Sequence, residues 1–422
     1  IFKMLESKRV MVSIPNIIFY VLVFLSVYVQ VFFLVTFLEN RKKIITRNGK
    51  IKLAKYPSVT ITVPCWNEED TLEKTVLSLL NLNYPKDKIK IIIVDDGSTD
   101  NTWKIINSFA SYPNIRVFRK ENEGKYTALN LGLHNSDTDF FGCLDADSLV
   151  HPESLVRIMS YFEKDPNSMA VTPALLVYDP QSVIQKVQKA EYNMGIYLKK
   201  MLGFLGAIHV TPGPLTIFRR KVFDELGPYR HAHNTEDMEI AYRMQKNHYK
   251  IEQCNDAYVY TNTPLTIRKL YKQRLRCVYG FINNTIDCKY ILLSRKYGNF
   301  SFFTLPAAIV SIIAAGYFFS KLVYNLGNIL YSKIIQFQLV GYIAKTADFD
   351  LFFVNAQSLV FITIFLFVLV IFSIMVGKKI TDNQSKISLD MFYFPIIYSI
   401  LAPLWIIKAV YNTVLSRSPD WR

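Results

Sequence analysis

Residues 89–100 read IKIIIVDDGSTD, and this stretch decides the fold. The β-branched run from Ile89 to Val94 predicts a short buried strand, which ends at the turn residues Asp95-Asp96-Gly97. Four similar runs occur at residues 58–63, 115–118, 140–144 and 170–177. Because helical spacing separates the runs, we expect a mostly parallel sheet that binds ligands at the carboxyl ends of its strands. The sequence therefore predicts an α/β domain with acidic turns at its ligand-binding edge.

The composition indicates a folded chain that enters a membrane. The 422 residues are 51% hydrophobic and include 26 Tyr and 30 Phe, and the mean hydropathy is +0.17. These values exclude a disordered chain and are high for a soluble enzyme of this size. The net charge of +15 fits nucleic acid, an anionic membrane surface or a polyanionic small molecule. Basic and aromatic residues do not interleave away from the membrane flanks, so we expect no nucleic-acid partner.

Four apolar runs are long enough to cross a bilayer, which takes about 20 helical residues. They are residues 14–38, 300–320, 351–376 and 391–407. The first run could instead be a cleaved signal peptide, but such a segment would be shorter and would end at small residues. Here the run ends in Glu39-Asn40-Arg41-Lys42-Lys43, which is typical of a retained span.

The basic flanks predict the orientation of these spans. Residues 41–43 and Lys378-Lys379 favour the cytoplasm, whereas Lys3, Lys8 and Arg9 argue mildly against this orientation. We predict a multi-pass protein of the plasma membrane whose residues 39–299 are cytoplasmic. Residues 321–350 are of intermediate hydrophobicity and read as an external amphipathic or re-entrant piece, with a fifth span as the alternative.

Two acidic turns follow predicted strands. The carboxylates of Asp95 and Asp96 could accept hydrogen bonds from a nucleobase or ribose, although an Asp-Gly hairpin or a helix N-cap explains the same residues. Asp145-Ala146-Asp147 places two carboxylates on alternate positions, where hard oxygen ligands can hold Mg²⁺ or Mn²⁺ against a diphosphate. The same spacing also occurs by chance in loops.

Two further motifs allow both a structural and a chemical interpretation. Thr235-Glu236-Asp237 reads as a capped helix start, or as a carboxylate that deprotonates an incoming hydroxyl. Gln273 and Arg276 are three residues apart and share a helix face within the basic stretch 264–282. A juxtamembrane basic helix that attracts anionic lipid headgroups would explain the same cations.

The motifs occur in a recognisable order. They are PCWNEE at 64–69, VDDGSTD at 94–100, GKYTALN at 124–130, DAD at 145–147, TED at 235–237 and QRLR at 273–276. Together they resemble the family 2 glycosyltransferases, and most closely the membrane-embedded cellulose synthase and hyaluronan synthase group. Residues 212–215 (PGPL) and 218–220 (FRR) also look like the acceptor-side loop of the hyaluronan and chitin synthase branch. The resemblance covers about residues 55–300.

This resemblance implies an α/β GT-A (Rossmann-like) catalytic domain between transmembrane helices, and a role for each matched residue. The residues implied for the nucleotide sugar are Pro64, Trp66, Glu68, Asp95, Asp96, Lys125, Asp145, Gln273, Arg274 and Arg276. Asp95 would contact the base, while Asp147 and Asp145 would hold a divalent cofactor, Mn²⁺ or Mg²⁺. Asp237 would be the general base of an inverting single displacement, and Glu236 would contact the acceptor.

Two amphipathic helices are expected at the membrane surface. Apolar residues between 182 and 205 recur at three- and four-residue steps with lysines off that stripe, although a core-packed helix would show the same periodicity. The basic helix from Pro264 is the second. We therefore divide the chain into an N-terminal span (1–40), a cytoplasmic GT-A domain (41–262), a basic interface helix with its flank (263–298) and a membrane domain of about three spans (299–422).

Departures from the family bear on the product. The processive synthases carry Trp after Gln-x-x-Arg, whereas this chain has Cys277, and it shows neither their gating segment nor many spans. We therefore expect transfer of one or few sugars to a lipid-linked acceptor of the dolichyl or polyprenyl phosphate type. The layout is similar to that of minimal archaeal mannosyltransferases, which gives GDP-mannose as the expected donor. The alternatives are a processive polysaccharide synthase that uses a UDP-sugar and, from another class, a non-catalytic scaffold or transporter.

Overall fold

The computed structural model describes residues 14–44, 51–340, 358–382 and 387–419. These residues form an α/β domain set between one long apolar helix on its N-terminal side and three on its C-terminal side. The strands are β1 (Val59–Cys65), β2 (Ile89–Asp96), β3 (Ile115–Lys120), β4 (Phe140–Cys143), β5 (Ser148–Val150), β6 (Ser168–Val177), β7 (Ile217–Arg219) and β8 (Lys250–Thr261). The α-helices are α1 (Ile14–Asn40), α2 (Leu72–Leu80), α3 (Thr102–Ser108), α4 (Lys125–His134), α5 (Ser154–Lys164), α6 (Val183–Phe204), α7 (Lys221–Leu226), α8 (Glu236–Lys246), α9 (Ile267–Asp287), α10 (Leu305–Val340), α11 (Ser358–Asp382) and α12 (Asp390–Val414).

The sheet is mixed rather than mostly parallel. Its eight strands follow the order β3-β2-β1-β4-β7-β6-β8-β5. The four strands from β3 to β4 are parallel, which confirms the predicted α/β core, but β7 lies antiparallel between β4 and β6, and β5 lies antiparallel to β8. The parallel half brings the carboxyl ends of β1, β2 and β4 to one edge, where the acidic turns begin.

The three strands that the sequence analysis did not predict are short or polar. β5 and β7 span three residues each, too few to show alternation. β8 carries Gln253 and Asp256, whose partners come from distant parts of the chain. Thr172 donates to Gln253 at 2.9 Å and Arg157 donates to Asp256 at 3.1 Å. These contacts allow a strand to be buried even though its sequence lacks an apolar pattern.

Two hydrophobic cores cover the two faces of the sheet. One packs β1 and β2 against α2 and α5. The other unites β4, α6 and α8 with residues of the apolar helices, including Phe33 of α1 and Leu305 of α10. Because membrane-helix residues belong to this second core, the domain is fixed to those helices rather than tethered by a loop.

Four of the described helices are long and apolar enough to cross a membrane. They cover Ile17–Lys43, Phe300–Leu339, Val360–Thr381 and Asp390–Val414. α10 has 36 residues, well above the about 20 that a span needs. Residues 321–340, predicted as an amphipathic or re-entrant piece, continue this same helix, while 341–357 lie outside the described residues, as do Lys3, Lys8 and Arg9.

Two helices join the α/β domain to the long apolar helices, at the positions where the sequence predicts interface helices. α6 starts with a capping box in which Ser182 and Gln185 satisfy each other's backbone amides. Gly377 of α11 packs so closely on the Asn193 carbonyl that a side chain there would overlap it. α9 begins at the cap residue Thr266 and packs along α12. Both helices therefore have fixed positions between the sheet and the long apolar helices.

Candidate active site

Lys125 joins two of the acidic motifs. It opens α4, and its Nζ lies 2.7 Å from Asp145 Oδ1 and 3.2 Å from Glu236 Oε1. Burial alone would lower the pKa of Lys125, but the two carboxylates raise it well above its ordinary value. The side chain is therefore a fixed cation between the DAD turn after β4 and the start of α8.

Asp237 lies next to this cluster at the N-terminus of α8. Its Oδ1 accepts a hydrogen bond from the Met238 amide at 2.9 Å, and its carbonyl accepts from the Thr211 hydroxyl at 2.8 Å. Burial raises the pKa of Asp237 to about 6, and the neighbouring Glu236 carboxylate acts in the same direction while Lys125 opposes it. A carboxylate with such a pKa is poised to accept a proton near neutral pH.

The DAD turn offers two hard oxygen ligands. Burial raises the pKa of Asp147 to about 7, and the negative charges of Asp145 and Glu68 add to this effect. Crowded carboxylates of this kind fit a divalent cation, which would relieve their repulsion. Within the described ranges no group of three or more His, Cys, Asp or Glu side chains is placed to bind an ion. Metal binding by Asp145 and Asp147 therefore stays a prediction.

The two carboxylates at the end of β2 are held by cations from β3. Asp95 is fully buried and lies 3.1 Å from Arg119 Nε, while Asp96 accepts from Lys120 Nζ at 2.8 Å and from the Gly124 amide at 3.0 Å. A cavity of about 420 Å³ adjoins them. It is lined by Gly97, Ser98, Arg119, Lys120 and Glu121. The structure therefore places an open cavity, lined in part by the two cations that contact Asp95 and Asp96, beside the residues expected to contact the nucleotide.

Arg119 and Lys120 were missed by the sequence analysis, which ended the third strand at residue 118. The parallel register pairs Asp95 with Arg119 and Asp96 with Lys120. Extending that strand by two residues would have placed both cations beside the two carboxylates. Both cations are visible in the sequence, but pairing them with the two carboxylates requires knowing which strands are neighbours in the sheet.

The first motif packs onto the second. Asn67 has a positive φ of 54°, and its Oδ1 accepts from the Thr99 amide at 2.9 Å. The Glu68 amide donates to the Thr102 hydroxyl at 2.8 Å. Pro64 is buried at the end of β1, and Trp66 and Glu68 are half-buried beyond it. These contacts bring residues 64–69 to the same sheet edge as Asp95.

Gly213 is in close contact with the charged cluster. A Cβ at this position would lie 2.6 Å from Asp145 Oδ1 and 2.9 Å from Lys125 Nζ. Its carbonyl accepts from the Cys143 thiol at 3.0 Å. Since Thr211 bonds to Asp237, the loop around Gly213 touches both the DAD turn and the proposed base. This is the segment predicted to be the acceptor-side loop.

Helix α9 lies against the TED motif, but its residue Arg274 is directed towards α6 and α12 instead. Gly280 packs directly on Thr235, and Asn284 Nδ2 donates to the Thr235 hydroxyl at 2.8 Å. Arg274 Nη2 instead donates to Glu191 of α6 at 2.6 Å. The same Glu191 oxygen accepts from the Tyr398 hydroxyl of α12 at 2.5 Å. Arg274 thus has a partner between α6 and α12, and its contact with a nucleotide sugar stays a prediction.

Gln273, Arg276 and Cys277 of α9 are half-buried. Among the described residues, Gln273 Oε1 is buried without a hydrogen-bond partner, so it could accept a hydrogen bond from a ligand. Cys277, which follows Arg276, lies within electrostatic reach of Asp237. The structure therefore brings the α9 motif towards the proposed base, while the predicted roles of Gln273 and Arg276 stay predictions.

Comparisons with known proteins agree with this architecture. Residues 60–227 match the family Glycosyl transferase family 2. A poly-beta-1,6-N-acetyl-D-glucosamine synthase of Staphylococcus epidermidis is 29% identical over 68% of this chain and 74% of its own length. A second synthase of that name from the same species is 27% identical over 78% of this chain and 85% of its own length. A synthase of the same name from Staphylococcus aureus is 29% identical over 61% of this chain and 64% of its own.

A solved structure shares the fold. It is a mannosyltransferase from Pyrobaculum calidifontis in complex with GDP-mannose and Mn²⁺, with a TM-score of 0.58 and 17% identity, and the match covers 94% of this chain and 99% of that one. The chain therefore carries a family 2 glycosyltransferase domain of the GT-A fold together with four helices that are apolar enough to cross a membrane, and it is a glycosyltransferase. The predicted fold, family and enzyme class are confirmed. The names of the sequence relatives favour the polysaccharide-synthase alternative over mannosyl transfer to a lipid.

Proposed function

We propose that this protein polymerises N-acetylglucosamine from UDP-N-acetylglucosamine on the cytoplasmic face of the plasma membrane. The observation that carries the proposal is the extent of its similarity to the staphylococcal poly-beta-1,6-N-acetyl-D-glucosamine synthases. One match covers 78% of this chain, more than the domain between the membrane helices can supply by itself. The similarity thus includes membrane segments, on which the fate of a growing polymer depends.

The proposed reaction is a single displacement with inversion. Asp237 takes the proton of the acceptor hydroxyl as its oxygen attacks the anomeric carbon, and the raised pKa of Asp237 suits this role. Glu236 is held by Lys125 at 3.2 Å, so its free oxygen can orient the acceptor. The bond to the nucleotide diphosphate breaks as the glycosidic bond forms. No covalent intermediate is required.

The donor is held by residues at the sheet edge. Asp95 would accept from the uracil N–H, with Arg119 holding the carboxylate in place. Asp145 and Asp147 would hold Mn²⁺ or Mg²⁺, which, when bound, offsets the charge that develops on the departing diphosphate. Gln273 and Arg276 would contact the diphosphate and the acceptor end.

One observation favours a second candidate function. Cys277 stands where the processive synthases carry Trp, and its thiol lies near Asp237. Without an aromatic platform, the acceptor end of a polymer lacks a stacking surface. This difference favours addition of one or few sugars to a dolichyl- or polyprenyl-phosphate-linked acceptor, with GDP-mannose as the corresponding donor.

A donor panel tests the proposal. Purified protein in lipid nanodiscs would be supplied with UDP-N-acetylglucosamine or GDP-mannose, with Mn²⁺ or with a chelator, and nucleotide diphosphate release would be measured. We expect metal-dependent release of UDP and little release of GDP. Release of GDP alone would support the second candidate. Release of neither nucleotide with any lipid extract would favour the scaffold or transporter alternative.

A further inference from the structure

A cavity of about 320 Å³ lies between α1, α6 and the start of α10, apart from the donor site. Its walls are mainly apolar and include Phe33, Leu198, Leu202, Phe303 and Ala307. α1 and α10 are both among the helices that can span a bilayer. A molecule in this cavity would therefore lie between membrane helices and the interface helix α6.

Unpaired polar groups face this apolar space. Lys199 and His209 line it. Within the part of the chain that the structure describes, the Lys199 ammonium has neither an ion pair nor a hydrogen bond, and the Asp237 carboxylate lies within electrostatic reach of it. Among the same described residues, His209 Nδ1 and Thr304 Oγ1, from the same lining, are buried without hydrogen-bond partners. Such groups are costly to leave unsatisfied, so they point to a missing polar ligand.

The charge of that ligand follows from the cavity's own charge. Burial lowers the pKa of Lys199 to about 8 although the Asp237 carboxylate acts in the opposite direction, and this value leaves the ammonium mostly protonated at neutral pH. Burial also lowers the pKa of His209 to about 4, so this ring is neutral there and can donate or accept one hydrogen bond. No carboxylate lines the cavity among the described residues. A ligand that complements this cavity therefore carries one negative charge and apolar groups.

We propose that this cavity binds the phosphate of an anionic membrane lipid on Lys199, with the lipid chains lying between α1 and α10. A neutral lipid or a neutral glycan would bring the ammonium no counter-charge inside the cavity, where no carboxylate lies among the described lining residues. Free inorganic phosphate would leave the apolar walls unfilled. A lipid phosphate ester satisfies both parts of the cavity.

The site is linked to the reaction centre through the chain. Two residues after His209, Thr211 bonds the Asp237 carbonyl through both its amide, at 3.2 Å, and its hydroxyl, at 2.8 Å. Gly213 follows and packs on Asp145. A lipid bound at His209 and Lys199 would therefore stabilise the loop that positions the proposed base. Lipid binding itself does not depend on which sugar is transferred.

The test is lipid binding to the full-length protein in detergent, measured by native mass spectrometry. The probes are phosphatidylglycerol, phosphatidylcholine and inorganic phosphate. We expect phosphatidylglycerol to bind at least fivefold more tightly than phosphatidylcholine, and Lys199→Gln to remove about that preference. Lys199→Arg should keep it. The matched control is Lys186→Gln, which removes an exposed lysine from the same helix.

Three results would overturn the proposal. They are unchanged phosphatidylglycerol binding to Lys199→Gln, an equal loss in Lys186→Gln, and displacement of the lipid by inorganic phosphate. Thermal stabilisation by UDP, measured on the same variants, shows that each is folded. Because it also reports the donor site separately, a failure of lipid binding can be told from a failure of the proposed sugar transfer.

Discussion

Replacing Asp237 by Asn tests the proposed base directly. The substitution keeps an oxygen that can accept from the Met238 amide but removes the group that accepts the acceptor's proton. General-base catalysis contributes about 10²- to 10⁴-fold, so turnover should fall by that factor, equivalent to about 3–5 kcal/mol of barrier. UDP release by protein in nanodiscs measures the loss.

The same substitution should stabilise the fold. Burial and Glu236 raise the pKa of Asp237 to about 6, above its ordinary value, so the folded state prefers the protonated form. The stability that Asp237 contributes is thus present at low pH and is lost as pH rises through about 6. At neutral pH the ionised carboxylate is a cost, and Asn removes it, with a gain on the order of 1 kcal/mol.

A matched control is Asp87→Asn, which removes an exposed surface carboxylate. It should change neither turnover nor melting temperature. If Asp237→Asn kept wild-type turnover, Asp237 would not be the base. If it lost turnover together with stability and UDP binding, the loss would be structural, and the assigned role would again be refuted.

Three further predictions follow from the charges and contacts around the site. With metal and donor saturating, turnover should rise about tenfold per pH unit below the pKa of about 6 at Asp237 and then level off; a flat profile from acidic to neutral pH would contradict this. Gly213→Ala should lower kcat/KM about tenfold with little change in melting temperature, because its Cβ would displace the Asp145–Lys125 pair, whereas Gly316→Ala, which meets nothing, should be silent in the same assay. Glu191→Gln should destabilise the protein by about 3 kcal/mol in thermal unfolding, because it leaves the Arg274 guanidinium without its counter-charge; adding Arg274→Met should restore most of the loss, and simple additivity would count against the pair.

The fold could be predicted from the sequence where local pattern and structure coincide. Runs such as Ile89–Val94 are β-branched and end in turn residues, and the strand they predict is present. The helix expected near residues 182–205 is present as α6, while its location at a membrane interface stays a prediction. β8 could not be predicted, because its polar residues are buried through partners such as Thr172 and Arg157 that only the folded chain supplies.

In the candidate site, too, some features follow from local sequence pattern and others depend on contacts between distant parts of the chain. The acidic turns follow strand ends, and parallel strands bring such ends together, so Asp95 and Asp145 could be placed from pattern alone. The ion pair between Arg274 and Glu191 could not, because the sequence does not show which face of α9 turns towards α6. Lys199 is one of the lysines off the apolar stripe of the helix expected at residues 182–205, and only the packing of α1 and α10 shows that it faces a cavity.

The size of the product tests the central proposal most directly. Purified protein in nanodiscs would be incubated with labelled UDP-N-acetylglucosamine and Mn²⁺, and the products separated by size and by extraction into organic solvent. The proposal predicts a ladder or a high-mass polymer of N-acetylglucosamine that carries the label. A single labelled lipid species, or labelled product from GDP-mannose alone, would contradict it.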